Sequence, residues 1–205
     1  MPNKNTGLVT GLILWAMLAL PVAAASIDTA NPAFAQTGGP TSIPVGHAEF
    51  CRAHRSECGR NTRVVEATEL DEGRWTELLS VNQKFNAEIV PVTDNDLYHV
   101  AEYWTYPKGY GDCEDIALAK RKALIDRGWS PSTLLMAVVR QPNGEGHAVL
   151  MVRTDRGDLV LDNQEGLVKV WNDTPYQFLK RQSQADQSQW VDIIDNRAVH
   201  VAATH

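Results

Sequence analysis

Three apolar runs lie close together in the second half of the chain: Leu134–Val139, His147–Val152 and Leu159–Leu161. Turn residues separate them, Asn143-Gly144 in the first gap and Asp155-Arg156-Gly157 in the second. Links this short cannot carry a crossover helix, so the runs are predicted to pair as an antiparallel meander. Val168–Trp171 reads as a further strand, Tyr176–Arg181 as a helical turn, and Trp190–Ile194 as a last strand.

The residues before this meander follow a different period. Trp75, Leu78, Leu79, Asn82, Phe85 and Ile89 recur at helical spacing and predict one amphipathic helix. A second helix is expected to start near Asp112 or Cys113 and to stop at Gly128. Its inner face would carry Ile116, Ala117, Ala119, Ala123 and Leu124, with the stem of Lys120 at the margin. Residues 91–111, rich in glycine, proline and aromatics, read as a long ordered loop or a set of turns. Helices first and an antiparallel sheet afterwards make an α+β fold. The division expected is a leader over 1–35, an extended lead-in over 36–74, and one domain over 75–205.

Lys4 followed by the apolar stretch Leu8–Ala25 has the form of a secretory signal peptide. Small-residue cleavage patterns occur at Ala23-Ala24-Ala25 and Ala33-Phe34-Ala35, and the second is preferred. A membrane anchor is the alternative. Export places the chain in the periplasm or outside the cell, where cysteines tend to pair. Of Cys51, Cys58 and Cys113, the first two lie close enough to close a small disulfide loop, leaving Cys113 as the free thiol. The alternatives are three unpaired thiols, or a metal held by Cys51, Cys58 and His54. The net charge of −6 speaks against a nucleic-acid partner.

A thiol at a helix start is where a nucleophile gains from the helix dipole. Gly109 and Gly111 before Cys113 allow a substrate to approach the backbone. Of six histidines, only His147 opens an apolar strand directly after a turn. Asp162 closes the next strand, beside His147 in an antiparallel pair. Cys113 as nucleophile, His147 as base and Asp162 as the group orienting the imidazole form a coherent set. Each also has a plain structural reading: a small core residue, a satisfied strand histidine, a turn cap.

The blocks Gly111-Asp-Cys-Glu-Asp115, Gly146-His-Ala-Val-Leu150 and Leu161-Asp-Asn163 occur in this order. With Val81-Asn82, Phe85-Asn86 and Tyr103-Trp104 upstream, they resemble the bacterial transglutaminase-like cysteine peptidases, the LapG-type proteases, over roughly residues 75–165. The resemblance implies a papain-like or transglutaminase-like core, a catalytic triad of Cys113, His147 and Asp162, and periplasmic cleavage of a protein substrate. It further implies a surface adhesin as substrate and an inner-membrane receptor as regulator. It also implies calcium beside the thiol, with Asp112 and Glu114 as ligands. The alternative for these carboxylates is that Asp112 caps the helix and Glu114 favours its positive end. An amidase or acyl transferase of the same fold, and a non-catalytic binding module, remain as alternative functions.

Overall fold

A computed structural model describes Met1 and residues 33–197. The leader expected before residue 33 lies outside the described residues. Among the described residues, no helix is long and apolar enough to cross a membrane.

The meander is present. Strands β4 (Leu134–Arg140), β5 (Gly146–Thr154) and β6 (Gly157–Leu161) pair antiparallel, with Val139 opposite His147 and Leu150 opposite Leu161. They sit within a seven-stranded sheet. Its other members are β1 (Thr37–Thr41), β7 (Lys169–Val170), β8 (Gln177–Gln182) and β9 (Trp190–Ile193). The order is β1-β9-β8-β4-β5-β6-β7, antiparallel throughout.

Both faces of the sheet are buried, which is why β4 and β5 read as continuous apolar runs rather than alternating ones. Met136, Leu150, Val152 and Leu161 point to one face. There they meet Leu78 and Val81 of α2 (Glu72–Glu88), and Ala117, Leu118 and Leu124 of α4 (Cys113–Ile125). Ala137, Val139, Val149, Met151 and Val160 point to the other, under Trp171, Tyr176 and Phe178. Helix α2 starts where Asp71 accepts the Arg74 N–H at 2.7 Å, a side-chain cap that satisfies one of the unpaired donors of the first turn. Helix α4 ends at Ile125, short of the expected Gly128, which instead closes the turn that follows with a φ of +85° that suits glycine.

The structure corrects several expectations. Tyr176–Arg181 is no helical turn: strand β8 covers Gln177–Gln182. Its register slips against β4 between Val138 and Val139, which face Lys180 and Phe178. The bulge breaks the two-residue period, so Phe178, Arg181 and Gln182 are all buried, a spacing that imitates a helix. Val168–Trp171 gives only the short β7, followed by a 3-10 turn over Trp171–Asp173. The segment over 36–60 is not merely extended: β1 adds an edge strand, and α1 (Val45–Ala53) buries His47 and Phe50. Residues 91–111 hold α3 (Asp94–Tyr98) and a short parallel pair, β2 (Val90–Pro91) with β3 (Tyr110–Gly111). Lys120 is fully buried rather than marginal. The cysteines follow expectation: Cys51 and Cys58 form a disulfide with Cα atoms 5.5 Å apart, and Cys113 is free.

Ala33–Ala35, expected to be removed with the leader, lies against the β5–β6 turn. The Ala35 N–H donates to the buried Asp158 Oδ2 at 2.8 Å, and the Asp158 N–H donates to Ala33 O at 3.0 Å. Gly157 must be glycine here: its φ is +115°, and a Cβ would come within 2.9 Å of Ala33 backbone. A chain begun at Gln36 is therefore expected to be less stable than one begun at Ser26 by about 2 kcal/mol, the cost of leaving a buried carboxylate short of a donor. Urea midpoints of the two chains check this.

Candidate active site

Three elements bring chemistry-bearing side chains to one place. Helix α4 starts at Cys113, β5 starts at Gly146, and β6 ends at Leu161, one residue before Asp162. Helix α4 packs against β5 on the first sheet face. The contact between them is direct: the Ala148 N–H donates to Cys113 Sγ at 3.4 Å.

His147 and Asp162 are both buried and adjacent. His147 Nε2 lies 2.8 Å from Asp162 Oδ1. A carboxylate only accepts, so Nε2 carries the hydrogen and Nδ1 is left as the basic nitrogen. The Gln164 N–H donates to the same oxygen at 3.0 Å, and the Tyr176 hydroxyl donates to Oδ2 at 2.5 Å. Burial alone would raise the Asp162 carboxyl, but the His147, Tyr176 and Gln164 hydrogen bonds hold it below the usual range. The Tyr176 ring stands edge-on to the imidazole at 5.5 Å. No local signal marks Tyr176, which precedes β8 in the stretch expected to be a helical turn.

The thiol sits among acids. Burial pushes Cys113 well above its ordinary value, and the Glu114 carboxylate, accepting the S–H at 3.0 Å, pushes it further. Burial also raises the neighbouring carboxyls. Glu114 is pushed up to about 9, with Asp112 adding like-charge repulsion, and Asp115 to about 8. Asp112 is raised as well. It occupies the N-cap position of α4 but makes no side-chain cap bond, so the capping role considered for it is not realised.

Asp94, at the start of α3, joins this group; its carboxyl is raised to about 6, chiefly by burial. Ligand atoms of Asp94, Asp112 and Glu114 all lie within 4.8 Å of one another. Asp94 Oδ1, Asp112 Oδ1 and Asp115 Oδ2 are buried without a hydrogen-bond partner. Gly111 is required beside them, because a Cβ there would lie 2.8 Å from Asp115 Oδ2. Nothing in the sequence marked Asp94, which is distant along the chain and brought in by the loop the β2–β3 pair closes.

Cys51 and Cys58 stand apart, bonded to each other beside His47 rather than to a metal. His54, considered as their co-ligand, instead lies 3.7 Å from Glu57.

No curated protein matches the chain. Solved structures that the chain matches include Legionella pneumophila LapG in a calcium-bound form. It is 22% identical over 60% of this chain and 71% of that one, with a TM-score of 0.49. The EGTA-treated form of the same protein is 24% identical over 60% and 72%, also with a TM-score of 0.49. The family model for the bacterial transglutaminase-like cysteine proteinases matches residues 37–198, and the chain belongs to that family.

Proposed function

We propose that this cysteine peptidase is an exported endopeptidase working through a thioester on Cys113. The observation that carries the reading is the pairing of His147 with Asp162 directly beside the residue that contacts Cys113 Sγ. In this mechanism the thiol proton passes to His147 Nδ1 and the sulfur attacks a backbone carbonyl. The resulting oxyanion takes hydrogen bonds from unpaired N–H groups at the start of α4. As the C–N bond breaks, the imidazolium gives its proton to the leaving amine. Water, deprotonated by His147, then cleaves the thioester and releases the acid. Asp162 fixes the imidazole tautomer and balances its charge.

The carboxylates around the thiol oppose its ionisation, and calcium fits them. Oxygen-only donors, several of them buried and unpaired, are what this ion selects. Asp94, Asp112 and Glu114 would hold it, its charge offsetting theirs so that the thiolate can form. The substrate would be an extended segment of an exported protein, with a surface adhesin and an inner-membrane receptor as the partners implied by family resemblance.

The test is product analysis by mass spectrometry on a library of unfolded exported proteins, with Cys113→Ala as control. Main-chain cuts that vanish in the control support the endopeptidase. Ammonia release or crosslinking without cuts supports an acyl transferase instead, and no Cys113-dependent product supports a binding module.

A further inference from the structure

Lys120 is a buried cation that the chemistry above does not use. It lies two turns after Cys113 on α4, on the same helix face. It is completely buried, and burial lowers its amine to about 7 against the opposing pull of the Asp162 charge. Its ammonium donates to Asn82 Oδ1 of α2 at 2.8 Å. An ammonium has no acceptor, so this bond forces the amide of Asn82 into one orientation, with Nδ2 turned away. Nδ2 then donates to the carbonyls of Glu165 and Gly166, each at 3.2 Å.

One turn further along the same face of α2, Asn86 Nδ2 donates to the carbonyl of Asp162 itself at 2.8 Å and approaches Glu165 O at 3.4 Å. The loop carrying Asp162 is thus gripped through three of its carbonyls. The grip comes from the two asparagines of α2, one of them held in orientation by Lys120 of α4, the helix that carries the nucleophile.

A lysine kept for stability alone would be a poor choice here, because replacing a buried charge with an apolar side chain of similar volume is often neutral or stabilising. We infer that Lys120, Asn82 and Asn86 are positioning residues that lock the Asp162 loop, and through it the His147 imidazole, to the helix bearing Cys113. The inference rests on the triad reading above and adds residues that touch neither substrate nor thiol.

The experiment compares Lys120→Met and Asn86→Ala with the wild-type chain, in saturating calcium. Asn86 is only half-buried, so its variant decides the matter if Lys120→Met does not fold. Two quantities are read: the rate of Cys113 alkylation by iodoacetamide at pH 7, and the downfield proton resonance of the His147–Asp162 hydrogen bond. Folded variants are expected to alkylate about 10- to 100-fold more slowly, in line with the cost of small displacements in a catalytic set. They should also shift or lose the imidazole resonance. Alkylation within twofold of wild type, or slower alkylation with the resonance unmoved, overturns the inference. If wild-type alkylation does not depend on His147, the triad reading has failed first, and the His147→Ala control identifies that case.

Discussion

With His147 replaced by alanine, peptide cleavage is expected to fall by about 1,000-fold or more. The reason lies in the thiol's surroundings rather than in the histidine alone. Burial and the Glu114 carboxylate both hold Cys113 in its protonated form. A cysteine in that position cannot ionise without a base to receive its proton, and in the proposed mechanism that base is His147, the neighbour of the Ala148 whose N–H donates to Cys113 Sγ. The loss should appear in kcat and in alkylation of Cys113 alike, since both need the thiolate. The substitution also removes one of the hydrogen bonds that depress the Asp162 carboxyl. A depressed carboxyl contributes stability that is present above its unfolded value, about 4, and lost as the pH falls through the folded one. The variant should therefore lose less stability than wild type on acidification below about pH 4. Alkylation kinetics and acid-unfolding curves measure the two effects separately. A variant that alkylates at the wild-type rate sinks the catalytic assignment of His147.

Calcium is expected to raise Tm by an amount that grows with pH. In the metal-free protein Glu114 is held up to about 9 and Asp115 to about 8, each mainly by burial. A raised carboxyl means the folded state binds more protons than the unfolded chain. Stability is then full below the unfolded value of about 4 and declines as pH rises through the folded values. The metal-free protein should thus weaken between about pH 5 and pH 9. Calcium supplies the missing positive charge and removes the decline. At a concentration 100 times its Kd it contributes about 2.7 kcal/mol, which is about 5–10 °C in Tm for a domain of this size. Chelation should abolish the gain together with cleavage, and Asp94→Asn should weaken calcium binding by at least about tenfold. Thermal melts with calcium, magnesium and chelator at pH 5 and pH 8 decide it. An equal response to magnesium, or none at pH 8, counts against the site.

The parts of the fold legible in the sequence were those governed by local rules. The turns at Asn143-Gly144 and Asp155–Gly157 fixed the meander, and the glycine at 128 marked the turn that follows α4. The adjacency of His147 and Asp162 followed from antiparallel pairing alone. What escaped reading depended on distant partners. Thr37–Thr41 has no apolar alternation, and it becomes a strand because β9 offers it an edge. Strand β8 was misread because a bulge against β4 shifts its burial pattern. Lys120 looked like a marginal stem because nothing local shows that α2 supplies an amide oxygen 38 residues away. Asp94 and Tyr176 reach the site by tertiary routes that no spacing records.

The pairing of β1 with β9 also decides how the domain would respond to force. Thr37 lies opposite Ile193, and the Ile194 N–H donates to Gln36 O at 2.9 Å. Tension applied between these two points loads the ladder from its open end, so its hydrogen bonds are strained one after another rather than together. Such a zipper geometry yields at low force. Strand β1 would peel away first, with β4, β5 and β6 still paired and Cys113, His147 and Asp162 in place. Pulled at Gln36 and Ile194, the domain would give way at the β1–β9 edge before β5 and β6 parted.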